Sequence, residues 1–376
     1  LNRSEYNNVV RDLLFVDFKP AKDFPADDTG YGFDNIGDVL SMSPLLMEKY
    51  LDAAETIAAA AVVIRPKEKE PTEFQKEYFK LPVAKDAEAV AFGEFVAKFM
   101  RRAYRREIRD AEITRMLAVS KAAAGEGMSL EVRVQVVIQA VMVSPHFLFR
   151  WELDGAPSNP KAIRRLNEYE LASRLAFFIW SSVPDDRLLD LAAKGALRKQ
   201  LESEVQRMLA DSRAEALVEN FAGQWLQLRN LDIVRPDKNL FPVYTPELRE
   251  DMRRETELLF VDVLRENRPL TELLTARYSF VNERLAALYG LPNVQGEAFR
   301  KVALRGNTRA GVLGHASVLT LTSDPDRTSP VKRGKYVLDN ILGTPPPPPP
   351  PNVPELEEAG EIKGTMREQM AKHSTN

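Results

Sequence analysis

The run VRVQVVIQAVMV, Val132–Val143, decides how the chain is read. Its β-branched residues favour a strand, because two substituents on Cβ stiffen χ1 and suit a pleated surface. Yet Val134, Val137, Ile138, Val141 and Met142 fall on one helical face at i, i+3, i+4 spacing. Three features favour the helix: the run exceeds an ordinary strand, Ser129 can cap it, and Pro145 stops it.

Upstream, Tyr6, Val9, Val10, Leu13 and Leu14 repeat that spacing, with Asn2 and Glu5 in capping-box positions. A Gly- and Asp-rich loop, FPADDTGYGFDNIGD (Phe24–Asp38), follows, and then Ser43 and Pro44 set a helix start. Phe92, Phe95, Val96, Phe99, Met100, Ala103 and Tyr104 form another stripe, with Arg101, Arg102, Arg105 and Arg106 expected on a solvated face. Downstream, Asn167 with Glu170 and Ser212 with Glu215 read as capping boxes, Thr245-Pro246 as a helix start, and Gly195 as a stop. The stripes Leu171, Leu175, Phe178, Ile179 and Val218, Phe221, Ala222, Trp225 require helices packed on helices. A helix over about Val331–Leu342, with Ser329 as cap, ends at Gly343.

The expected architecture is all-α: several packed helical subdomains, a C-terminal polyproline spacer and a poorly ordered tail. The divisions are an N-terminal module over 1–64, a charged, proline-punctuated surface connector over 65–85, a module over 86–155, a main domain over 160–294, a loop plus helix over 295–343, and spacer and tail over 344–376. Seven consecutive prolines, Pro345–Pro351, extend roughly 22 Å as polyproline II at about 3.1 Å per residue.

A formal net charge of −3 removes the basic footprint that a phosphate backbone requires, so nucleic acid is not an expected partner. The absence of cysteine excludes disulfides, thiolate metal sites and covalent haem attachment within these residues. No apolar run approaches the roughly 18 residues of a membrane span. The chain starts at Leu1, already within a helical pattern, and is expected to be cut from something longer.

Candidate chemistry is sparse. His146, His315 and His373 are too scattered for a histidine metal motif, and His315 in GVLGHASVL reads as a core residue. Asp27, Asp28 and Asp34, with Asp38, offer oxygens to calcium; the alternative is turn geometry. Asp185 and Asp186 resemble an acid/base pair only superficially, since helix-dipole compensation accounts for them without a substrate. SDPDRTSPVKRGKY is the most unusual segment. Arg327, Thr328, Ser329 and Arg333 suit an anionic group such as a carboxylate or haem propionate, against an internal Asp–Arg clamp with Ser329 as cap.

Taken together, LNRSEYNNVVRDLL, FPADDTGYGFDNIGDVLSMSPLLMEKYLDAA, YELASRLAFFIWSSVPDDRLLDLA, FAGQWLQLRNL, YSFVNERLAALYG and DRTSPVKRGKYVLDNILGTPPPPPPPNVP resemble the planctomycete-type, cytochrome-c-associated multidomain proteins. The resemblance covers most of the chain. It implies a mainly extracytoplasmic or periplasmic setting and a C-x-x-C-H segment after the prolines, so haem c is implied for the full-length protein, with a redox partner or haem-bearing C-terminal segment as partner. Many relatives carry a carbohydrate-binding β-domain after the first helical module, for which residues 65–85 are too short. The implied function is electron transfer or haem-dependent oxidoreduction on an unknown substrate, and whether the full-length protein is an enzyme is left open. The alternative is a non-enzymatic module that binds a cell-surface polymer or a partner protein.

Overall fold

Val132–Val143 is helical up to its last residue. In the computed structural model, which describes residues 1–64, 70–79, 87–125, 127–152, 158–159, 161–304, 306 and 309–347, the Ser129 hydroxyl accepts the Val132 N–H at the start of a helix over Leu130–Met142. Val134, Val137, Ile138, Val141 and Met142 are all buried, each worth about 1.5–3 kcal/mol of apolar transfer. That burial outweighs the modest helix penalty of valine. The chain forms two compact units, Leu1–Asn220 and Phe221–Asn376.

The first unit begins with α1 (Arg3–Leu14) and α2 (Pro44–Ala61), then α3 (Glu73–Tyr78), α4 (Glu88–Tyr104), α5 (Asp110–Ala124), α6 (Leu130–Met142) and the single turn α7 (Pro145–Leu148). The reciprocal capping box closes α1: the Asn2 side chain accepts the Glu5 N–H at 2.8 Å and Glu5 accepts the Asn2 N–H at 3.1 Å. Tyr6 packs its ring against Phe24, Tyr50 and Phe147. Phe74, Tyr78, Phe95 and Phe99 build a second aromatic group in the same core. A smaller cluster surrounds Trp180 on α8 (Glu168–Trp180), with α9 (Asp186–Ala193) and α10 (Leu201–Ala210), and α11 (Glu215–Leu217) follows in the chain. The Trp180 indole donates to the Met208 carbonyl at 3.0 Å and carries Arg213 over its face.

Three local expectations are corrected here. Residues 65–85 are not all surface, because α3 lies within them with a Thr72/Gln75 capping box and a fully buried Phe74. Arg102 and Arg105 are buried rather than solvated. Arg105 has φ +59° at the end of α4, which turns its guanidinium onto the carbonyls of Ala103, His146, Phe147 and Phe149. Burial lowers its pKa to about 10. Ser212 does not cap a helix; Asp211 does, accepting the Arg213 N–H at 2.9 Å.

The second unit contains α12 (Gly223–Trp225), α13 (Pro246–Arg265), α14 (Glu272–Thr275), β1 (Tyr278–Val281), α15 (Glu283–Tyr289), β2 (Arg300–Ala303), α16 (Ala316–Leu321) and α17 (Pro330–Tyr336). The stripe Val218, Phe221, Ala222, Trp225 lies on a π-helical turn, Val218–Ala222, that leads into α12. β1 and β2 pair antiparallel, from Tyr278 opposite Ala303 to Val281 opposite Arg300. This small sheet is an addition to an otherwise all-α fold. Lys301 sits 3.8 Å from the Tyr278 ring centroid and bonds Asp262 of α13 at 2.8 Å, so the strand pair is clamped by charge as well as by its ladder. Gly311 is required where it stands, because at φ +50° a Cβ would lie 2.4 Å from the Leu273 carbonyl oxygen. A π-turn over Val337–Ile341 extends α17, and Gly343 ends it at φ +62°. Most of the proline run and the whole tail, residues 348–376, lie outside the described residues.

Candidate functional site

The most developed site is a groove of about 310 Å³ in the second unit, within the size range of small-molecule sites. Leu248 and Met252 of α13 and Ala316 and Leu319 of α16 form its floor; Phe241, Val243 and Tyr244 form one wall. Arg309, Arg327, Thr328 and Arg333 form the polar edge. The floor follows from helical spacing, since Leu248 and Met252 are i, i+4 neighbours, and Thr245 starts α13 by accepting the Leu248 N–H at 3.2 Å.

The edge is built from the SDPDRTSPVKRGKY segment. Ser323 and Thr328 form an isolated antiparallel bridge, and the Asp324 N–H donates to the Arg327 carbonyl at 2.8 Å. Asp324 lies 3.7 Å from Arg327 and 2.5 Å from Lys332, and Asp326 lies 3.6 Å from Arg327. The Lys332 bond holds the Asp324 carboxyl below its ordinary pKa. The internal clamp is therefore present. Ser329 stands before α17 without a side-chain cap; its hydroxyl bonds Asp324 instead.

Arg333 is different. Its guanidinium donates to the Thr322 and Thr328 hydroxyls at 3.3 and 3.2 Å, and among the described residues no carboxylate pairs with it. Arg309 matches it from the opposite chain segment. It donates to the Gly314 carbonyl at 2.6 Å and stacks 4.0 Å from the Tyr289 ring centroid, also with no carboxylate partner among the described residues. The Tyr244 hydroxyl is enclosed with no hydrogen-bond partner among the described residues, and burial raises its pKa. Two guanidinium forks beside an apolar wall suit a flat amphipathic group with carboxylates at its edge.

A fully buried polar hub supports this floor. Glu255 accepts the Ser279 and Tyr289 hydroxyls, each at 2.6 Å, and the Tyr289 oxygen accepts the Ala316 N–H at 2.7 Å. Thr256 bonds His315 Nδ1 at 2.9 Å and the Ser317 hydroxyl at 2.7 Å. His315 is the core residue its sequence context suggested. Burial lowers its pKa, and among the described residues its Nε2 has no hydrogen-bond partner, lying 3.9 Å from Glu255.

The remaining sequence candidates stand apart in the first unit. Asp27 accepts the Arg3 N–H at 2.9 Å and Asp34 accepts the Asn2 amide at 2.8 Å, so both fasten the loop to the start of α1, while Asp28 is exposed. Among the described residues no three His, Cys, Asp or Glu side chains are grouped to hold a metal ion. Asp185 caps α9 and accepts two bonds from Arg207; Asp186 lies 3.7 Å from Arg102. The pair is engaged structurally. His146 is on the surface of the first unit, and His373 lies outside the described residues. With no cysteine, the chain cannot hold haem covalently.

Four protein-family models match the chain, each described as a protein of unknown function: PSD3 (DUF1587) at residues 1–63, PSD5 (DUF1595) at 91–152, PSD4 (DUF1592) at 166–291 and PSCyt3 (DUF1588) at 309–376. The chain belongs to the planctomycete-type, cytochrome-c-associated multidomain proteins. No curated protein and no solved structure matches it. In the family's terms, the groove takes its apolar wall from the PSD4 region and its arginines from the PSCyt3 region. No helix among the described residues is long and apolar enough to cross a membrane.

Proposed function

We propose that this chain is the helical body of an extracytoplasmic protein containing a c-type cytochrome segment, acting in electron transfer or haem-dependent oxidoreduction. Its second-unit groove receives the carboxylate-bearing edge of the haem segment or of a redox partner. One observation carries the reading: Arg309 and Arg333, both without carboxylate partners among the described residues, flank a 310 Å³ groove with an apolar wall. The PSCyt3 match over the residues that supply both arginines supports it.

When bound, haem supplies the one-electron chemistry; the chain's own residues hold and exclude. Each guanidinium can form a bidentate bond to a carboxylate, and the apolar wall lowers the local dielectric, which strengthens both bonds. Phe241, Val243, Leu248 and Met252 would lie against the apolar part of the group and keep water from it. The Tyr244 hydroxyl offers one further donor. The test is to extend the reading frame past Asn376 and produce the longer chain in a haem-maturing host. A C-x-x-C-H within a few dozen residues, and a Soret band that survives acid-acetone extraction, are expected. Their absence refutes the proposal.

A further inference from the structure

The first unit carries two clefts on either side of Trp151. One, of about 290 Å³, is lined by Tyr104, Arg106, His146, Asn167, Tyr169 and Ser173. The other, of about 530 Å³, shares Trp151, Glu170 and Ser173 with the first and reaches Phe178. Trp151 is 55% exposed and Phe178 65%. Yet the indole is fixed: its N–H donates to the Pro145 carbonyl at 3.1 Å, and the His146 and Phe149 rings lie 6.2 and 6.3 Å away. An aromatic anchored by its polar end presents a flat apolar face to a ligand at little entropic cost.

Charge around both clefts is balanced internally. Arg106 makes two bonds to Glu112 at 2.8 and 3.0 Å, Arg164 two to Glu170 at 2.7 and 2.9 Å, and Arg174 two to Glu152 at 2.5 and 2.6 Å. Arg150 lies 3.3 Å from Glu5, and Arg105 is committed to backbone carbonyls. A charged ligand therefore gains little here, in contrast to the second-unit groove. Neutral hydrogen-bonding capacity is left over: the side chains of His146, Tyr169 and Ser173 make no hydrogen bond among the described residues and line the clefts. An exposed ring face, spare neutral donors and acceptors, and a path continuing past the ring match a ligand with alternating C–H faces and hydroxyls.

We propose that this double cleft binds a neutral polysaccharide strand, with one sugar ring stacked on Trp151 and its neighbours in the flanking clefts. The site is independent of the groove in the second unit. The 376-residue chain is titrated with neutral hexasaccharides (β-1,4-glucan, β-1,4-mannan and α-1,4-glucan), with heparin hexasaccharide and with decaproline, following tryptophan fluorescence and calorimetry. At least one neutral hexasaccharide is expected to bind with a Kd below about 1 mM, persisting in 1 M salt because screening does not touch a neutral ligand. Trp151→Ala should weaken it at least tenfold and Ser173→Ala or Tyr169→Phe severalfold, with unchanged circular dichroism; Arg309→Ala/Arg333→Ala should bind as wild type. The proposal is overturned if no neutral hexasaccharide binds, if Trp151→Ala and Ser173→Ala both bind as wild type, or if heparin or decaproline binds more tightly.

Discussion

Replacing Glu255 with glutamine tests whether the buried hub holds the second unit together. The carboxylate accepts two hydroxyls at 2.6 Å with no exposure to solvent, tying α13 to β1 through Ser279 and to α15 and α16 through Tyr289. The glutamine oxygen serves one hydroxyl; the amide nitrogen is a donor facing the other. One charge-assisted bond, worth about 1.5–3 kcal/mol, becomes a neutral one of about 0.5–1.5, and the other hydroxyl, which can only accept from the amide, keeps a buried O–H without an acceptor at about 1–3 kcal/mol. Allowing for the relief of desolvating a carboxylate, Glu255→Gln should cost about 2–4 kcal/mol. Urea unfolding followed by circular dichroism gives the magnitude, and hydrogen exchange should locate the lost protection at residues 278–289. Tyr289→Phe in a double-mutant cycle should show a coupling of about 1–3 kcal/mol. A change below 1 kcal/mol, with exchange at those residues unaltered, refutes the hub.

Gly311→Ala should destabilise the second unit by more than the roughly 1–2 kcal/mol of a left-handed backbone, because its Cβ meets the Leu273 and Leu274 backbone at 2.4 Å; a lowered Tm on calorimetry checks this. Arg105→Lys should cost about 2–4 kcal/mol in the first unit, since an ammonium cannot reach the four carbonyls the fork satisfies. Glu112 is held at about 2 mainly by its bonds to Arg106. Its contribution is complete above the ordinary carboxylate value near 4.5 and is lost as pH falls from there toward 2; Glu112→Gln should flatten the stability profile over that window. His315 is buried with a lowered pKa, so the unfolded chain takes up a proton the folded one refuses. Stability should therefore fall as pH drops below about 6.5, at up to about 1.4 kcal/mol per unit, and His315→Gln should remove that slope.

Helices were legible at Asn2, Ser43, Ser129 and Asn167, where a cap and a stripe coincided, and at Thr245, where a cap preceded a proline. These are local signals whose partners lie three or four residues away. Residues whose partners are distant in sequence were not legible. Arg105 looks like any other member of a basic run until the left-handed turn after α4 aims it inward. The strands Tyr278–Val281 and Arg300–Ala303 are short and far apart in sequence, with α15 between them. At the site, SDPDRTSPVKRGKY stood out by composition, and Thr328 and Arg333 do reach the groove edge. Sequence could not divide the roles there: Arg327 is clamped by Asp324 and Asp326, whereas among the described residues Arg333 has only hydroxyl partners. Arg309 was missed altogether, since only the fold brings it beside Arg333. Glu255 and Tyr289, lying 34 residues apart, gave no motif either.

The role proposed for Arg309 and Arg333 is to receive the carboxylates of a c-type haem group. Titrating the chain with a haem c undecapeptide carrying Cys-x-x-Cys-His, and following the Soret shift, measures this directly. Losing both guanidiniums should remove about 3–6 kcal/mol, so Arg309→Ala/Arg333→Ala should bind at least 100-fold more weakly than wild type, while Lys335→Ala should change nothing. Equal affinity of wild type and the double variant, with both folded, would contradict the claim.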